Sequence, residues 1–193
     1  MQDTSADLKN VVAIGASAGG VRAICDLIKE RPAHLDAPIV IAVHSLPDSQ
    51  LTEVLQAITP LPVKKVEDGD VLQNGCIHVV PGAKHVFFQN GALKLSQLVH
   101  DSGFRPSIDA LFMTMAAEYG DRAVAVVLSG TLKDGMRGAQ VIFDVGGRTI
   151  VQDPREAAFD GMPNSIIFND HPEKVLPAAD LGRWLTQELG ETE

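Results

Sequence analysis

Two cysteines in 193 residues exclude a disulfide-stapled scaffold. Cys25 falls in an amphipathic pattern and Cys76 beside a predicted strand. Both read as small apolar residues of a protein from a reducing compartment. Cations are scarce as well. Sixteen Lys and Arg against 25 Asp and Glu leave a net charge of −9. Such a surface gathers no cation stripe for a nucleic acid and disfavours an anionic membrane. No apolar run approaches the roughly 20 residues of a membrane helix. Met1 to Asn10 is polar and lacks the basic-then-apolar order of a secretory signal. The six histidines are scattered, with no spacing typical of zinc ligands. What remains is a globular composition, 45% hydrophobic and 21% charged, in a chain long enough for one domain with a proper core.

The most informative stretch is Val11 to Val21. An apolar run, Val11-Val12-Ala13-Ile14, stops at small residues, and an amphipathic helical pattern begins at once. The turn contains Gly15-x-Ser17-x-Gly19, the spacing of a nucleophile elbow. A serine held there would lie at the mouth of a helix, where N–H groups can stabilise an oxyanion. Two plainer readings stay open. The glycines can serve only the turn, and Ser17 can be only an N-cap. A dinucleotide loop fits less well. Ser17 stands where that fingerprint wants its middle glycine, and the next strand ends at His44, not at a carboxylate.

Strand and helix patterns alternate along the chain. Strands are expected near 11–15, 38–43, 62–66, 76–80, 123–128 and 147–152. Helices are expected near 19–31, 49–57, 106–119, 134–145, 162–168 and 177–189. This predicts an α/β fold: a doubly wound, mostly parallel sheet in a Rossmann-like three-layer arrangement. Asn90-Gly91 between two apolar runs predicts an inserted antiparallel β-hairpin. Residues 1–10 are expected as a disordered lead, 11–193 as the domain, and 96–105 as an exposed loop.

In open α/β sheets, ligands bind beyond the carboxyl ends of the strands. Ser17, His44, Asp134 and Asp153 all follow predicted strands. A hydroxyl, an imidazole and a carboxylate are the parts of a serine hydrolase. The imidazole takes the serine proton, and the carboxylate orients the imidazole. Spacing favours Asp134 over Asp153 only slightly. Asp134 also reads as a helix N-cap, and Asp153 before Pro154 as a turn.

Ala13-Ile14-Gly15-Ala16-Ser17-Ala18-Gly19-Gly20, Val43-His44-Ser45-Leu46-Pro47 and Arg105-Pro106-Ser107-Ile108-Asp109 lead a series of blocks that resembles the catalytic domain of the CheB-type chemotaxis receptor protein-glutamate methylesterases. The matching blocks run in family order from about residue 11 to 189. They also include Glu67-Asp68-Gly69-Asp70 and Val79 to His85. They continue with Leu128-Ser129-Gly130 through Asp134-Gly135, Gly146 to Asp153, and Gly161-Met162-Pro163. The resemblance implies a nucleophile at Ser17, a base at His44 and the orienting carboxylate at Asp134. It places the oxyanion hole on the backbone N–H groups of Ala18 and Thr131. It further implies hydrolysis of glutamate methyl esters on receptors, with glutamine deamidation as a related activity. No metal or organic cofactor is called for, and the expected location is the cytoplasm. The expected partners are a methylated chemoreceptor-like protein and a regulatory protein supplied in trans, with no nucleic acid and no membrane insertion.

Three features depart from the family pattern. The usual Gly-Met-Gly-x-Asp loop reads Gly130-Thr131-Leu132-Lys133-Asp134 here. Phe104 stands where the family often has histidine. Family members typically carry a receiver domain ahead of the catalytic one, and about ten residues precede the first strand here. The chain is therefore expected as a stand-alone catalytic domain or a piece of a longer protein. A catalytically inactive module that binds a receptor or partner is the alternative function, and a hydrolase of small esters a third.

Overall fold

The computed structural model describes residues 8–30, 35–45, 47–97 and 105–190. The earliest strand, β1 (Val11–Ala16), is buried at every residue, as a continuous apolar run in a central parallel strand requires. Its alternate side chains feed two different cores. Val12, Ile14 and Ala16 face one, while Val11 and Ala13 face the other. β2 (Ile39–Val43) and β8 (Ala123–Val127) flank β1 in parallel and alternate in the same way. The helices α1 (Gly20–Lys29), α2 (Leu51–Gln56) and α6 (Ala178–Leu189) cover the first face. The second is covered by α3 (Ile108–Tyr119), α4 (Met136–Asp144) and α5 (Gly161–Asn169).

The main sheet has seven strands in the order β10-β9-β8-β1-β2-β5-β3, every neighbouring pair parallel. Its remaining members are β3 (Val63–Lys65), β5 (Ile77–Val79), β9 (Arg148–Gln152) and β10 (Lys174–Leu176). The chain winds outward from β1 through β2, then returns to β8 on the other side of β1. The crevice between β1 and β8 is thus the point where the strand order reverses.

The antiparallel insert has three strands rather than the expected two. β6 (His85–Gln89) and β7 (Ala92–Ser96) form the hairpin across Asn90-Gly91, and β4 (Asp70–Val71) adds to its edge. This ribbon lies against α3, where Thr114 Oγ1 accepts the Phe88 N–H at 3.1 Å. Of the expected disordered lead, residues 1–7 lie outside the described residues. Leu8 does not fit that expectation: it is buried in the second core, and its carbonyl accepts from Arg122 Nη1 at 2.9 Å. Most of the expected 96–105 loop, with Phe104, also lies outside the described residues.

On the face of the sheet that α3 covers, the central strands place the small residues Ala13, Ala42 and Ala125 among valines. Gly15 extends this low ground to the end of β1. A Cβ there would stand 2.4 Å from Ile108 Cγ2, so only glycine lets the first turn of α3 settle over the strand end. That settling carries the α3 N-terminus to the rim where Ser17 and His44 emerge.

Candidate active site

Ser17 follows β1 directly. Its N–H donates to the Ser129 carbonyl at 2.9 Å, and its own carbonyl accepts from Gly20 N at 2.9 Å. The left-handed residue of this turn is Gly19, at φ 73°, which is also the N-cap of α1. Ser17 is therefore not the cap, although its carbonyl closes the turn through Gly20 N. Its hydroxyl points instead to His44, with Oγ 3.1 Å from Nδ1. Close on its other side is Gly130, where a Cβ would stand 2.9 Å from the Ser17 Cβ.

His44 follows β2, and its N–H donates to the Ala16 carbonyl at 3.2 Å. The ring is largely enclosed, and Nε2 lies 2.8 Å from Asp134 Oδ2. A carboxylate only accepts, so Nε2 carries the hydrogen and Nδ1 is left as acceptor for the Ser17 hydroxyl. The ring nitrogens exchange the roles they have in the chymotrypsin arrangement, where Nε2 faces the serine.

Asp134 is buried, and it does not cap the helix that follows it; Gly135 does. The Asp134 carboxylate lies instead at the start of α3. Oδ2 accepts from Ile108 N at 2.8 Å as well as from His44, and Oδ1 accepts from Asp109 N at 3.0 Å. Burial pushes the carboxyl pKa up, but the His44 bond and the two backbone donors outweigh it and hold the group below its ordinary value. Asp134 therefore stays an anion, placed to stabilise an imidazolium. Asp153 is elsewhere. Arg155 engages it at 2.6 and 3.1 Å, and its carbonyl accepts from Glu156 and Ala157 in a turn. The turn that its position before Pro154 suggested is what it forms.

Neither the Ala18 nor the Thr131 backbone N–H has an acceptor among the described residues. Gly130 N, by contrast, is taken by the Phe159 carbonyl at 3.0 Å. Leu132, where the resembling family has its second glycine, has φ 66°, in the left-handed region glycine favours. Among the described residues no group of three His, Cys, Asp or Glu side chains could hold a metal ion.

Two supporting residues had no role in the sequence reading. Ser129 Oγ donates to the Ala18 carbonyl at 2.8 Å and accepts from Phe159 N at 3.0 Å. Gln152, buried at the end of β9, accepts from Ser129 N at 2.8 Å and donates to Glu156 at 2.6 Å. The last residue of β9 thereby braces the loop beside Ser17. The available signal was the polar Gln152 directly after the apolar pair Ile150-Val151.

A family model described as CheB methylesterase matches residues 12–185. The chain belongs to the CheB methylesterase family. It is similar to protein-glutamate methylesterase/protein-glutamine glutaminase 2 of Methanosarcina mazei, 35% identical over 180 residues, covering 88% of this chain and 49% of that protein. It is also similar to protein-glutamate methylesterase/protein-glutamine glutaminase 4 of Myxococcus xanthus, 34% identical over 179 residues, covering 91% of this chain and 51% of the other. The chain thus spans about half the length of the curated relatives it matches. The crystal structure of the Thermotoga maritima CheB methylesterase catalytic domain superposes with a TM-score of 0.88 at 32% identity, covering 93% of this chain and 98% of that one. The CheB fold therefore extends over nearly all of the chain, and the site described above lies within it.

Proposed function

We propose that residues 11–193 form the catalytic domain of a protein-glutamate methylesterase, a serine hydrolase acting on methyl-esterified glutamate side chains of a chemoreceptor-like protein. The observation that carries this is the unbroken proton path from Ser17 through His44 to Asp134, at 3.1 and 2.8 Å. His44 Nδ1 takes the Ser17 proton as Oγ attacks the ester carbonyl. The tetrahedral oxyanion rests on the Ala18 and Thr131 N–H groups. The imidazolium, steadied by Asp134, protonates methanol as it leaves. Water then attacks the acyl-enzyme with the same imidazole as base, and a free glutamate is released. The names of the relatives pair this activity with a protein-glutamine glutaminase. An amide differs from the ester only in its leaving group, so this site would accept it through the same steps.

The partners in this proposal are the methylated receptor and a regulatory protein supplied in trans, and the location is the cytoplasm. No helix among the described residues is long and apolar enough to cross a membrane.

The decisive experiment is methanol release from a methylated receptor, wild type beside Ser17→Ala. Ser17 makes its side-chain bond only within the site, so the variant is expected to melt like wild type. Its turnover is expected to fall about 10⁴- to 10⁶-fold. A folded Ser17→Ala protein that still releases methanol would overturn the nucleophile. Failure of wild type to react with a serine-directed phosphonate would point to an inactive binding module.

A further inference from the structure

Two aspartates cross over where α3 and α4 begin. Asp134 leads into α4, yet its carboxylate accepts from the N–H groups of Ile108 and Asp109 at the start of α3. Asp109 belongs to the first turn of α3, yet its Oδ1 accepts from Gly135 N at 3.0 Å and Gly138 N at 2.9 Å, at the start of α4. The carboxylate just ahead of α4 thus accepts N–H groups at the start of α3, beside the Ser107 cap, and a carboxylate of α3 accepts those at the start of α4. The helices are close enough for this because Gly138 has no side chain. A Cβ there would stand 2.5 Å from Phe112 Cβ and 3.0 Å from the Asp109 carbonyl.

This crossing bears on the reaction. The position of the Asp134 carboxylate depends on the backbone of the residue after it, and Asp109 grips that residue. Gly135 sits at φ 98°, a conformation that no side chain of its own stabilises and no cap bond of its own secures. We propose that Asp109 is a positioning residue for catalysis. It holds Gly135 so that the Asp134 carboxylate stays on His44 Nε2, and it adds a second negative charge behind that pair. Asp109 touches neither Ser17 nor the space above it; it acts through Asp134. The proposal assumes the hydrolase function above.

The two carboxylates sense each other's charge. Burial pushes the Asp109 pKa up, the N–H groups of Gly138, Gly135 and Arg137 pull it down, and the Asp134 charge adds to the rise. The net direction is upward. The facing part of α4 presents backbone N–H groups, and Asp134 is the charged side chain acting on Asp109, with His44 beyond it.

Asp109→Ala and Asp109→Asn separate positioning from a merely structural cap. Both are assayed with a small chromogenic ester across pH, after thermal melts establish folding and a serine-directed phosphonate establishes that wild-type Ser17 reacts. In Asp109→Ala the grip on Gly135 is lost. Its kcat is expected to fall about 10- to 100-fold with KM little changed, the scale of a small misplacement of a reacting group. Asp109→Asn keeps a carbonyl oxygen for Gly135 and Gly138, so most of kcat returns. With one negative charge fewer behind the imidazole, the acid limb of its kcat/KM profile moves to lower pH. A folded Asp109→Ala protein with wild-type kcat and pH profile overturns the proposal, whatever its melting temperature. Should Asp109→Ala not fold, Asp109→Asn decides: an acid limb that superposes on wild type overturns it, and a shifted one supports it. A wild-type enzyme that neither turns over ester nor takes the phosphonate refutes the hydrolase function instead.

Discussion

Asp134 and Asp153 show what a single side chain can and cannot reveal about its task. Both follow strands of the same sheet, and both sit beside residues that explain them as local structure. Three dimensions separate them. Asp134 turns to His44 and the α3 N-terminus, while Asp153 turns to Arg155 two residues away. Asp134→Asn is expected to cost about 10⁴-fold in kcat, because an amide no longer fixes the imidazole tautomer. Asp153→Asn is expected to keep kcat within a few-fold. Ester turnover by the two folded variants decides; the reverse ranking would transfer the carboxylate role to Asp153. Ser17 and His44 could be picked out because chemistry of that kind gathers at strand ends, whereas Asp134 is separated from Asp153 by the family resemblance and not by its placement. Ser129, Gln152 and Asp109 could not, because each acts by bracing backbone N–H or carbonyl groups, a task that no residue pattern in the sequence marks. Leu132 carries a different signature. A leucine at φ 66° is strained by its Cβ, at a cost of roughly 1–2 kcal/mol. Leu132→Gly relieves this while making the unfolded chain freer, so a net gain of up to about 1 kcal/mol is expected in urea unfolding.

At the level of elements, the buried runs at the centre of the sheet announce themselves and two short edge strands do not. β1, β2 and β8 are continuous apolar runs. β4 has two residues and β10 three, Lys174-Val175-Leu176, too few to show a period. Both are edges that exist because a neighbouring strand offers them hydrogen bonds. β5 conceals a further property. His78 lies between Val40 and Lys64 in the sheet, is buried, and has no hydrogen-bond partner for either ring nitrogen among the described residues. Burial, and to a lesser extent Lys64, lowers its pKa from 6.5 to about 4, with Asp70 opposing. The unfolded chain then binds a proton that the folded one refuses between those two values. Stability from this group is accordingly full above about pH 6.5 and is lost as pH falls toward 4, by about 3 kcal/mol in total. In His78→Leu that portion of the acid loss is expected to vanish. Urea midpoints at pH 7 and pH 4 measure it; an unchanged pH dependence would show that His78 is protonated in the folded state.

For the molecule as a whole, the architecture was legible because binary patterning repeats at every level. Strands alternating with amphipathic helices imply a parallel sheet with two covered faces, and the seven-stranded sheet has both. The strand order was not legible, since a linear pattern does not say on which side of β1 the chain returns. That return has an outcome of its own. The alcohol and the imidazole arise from the first stretch of polypeptide, and the carboxylate with both helices that fix it arises from the last. Severing the chain between residues 97 and 105 would give two fragments, each chemically incomplete. Mixed, they would recover ester hydrolysis only as fast as β8 of one docks beside β1 of the other, so complementation kinetics would time the closing of the seam at the centre of the sheet.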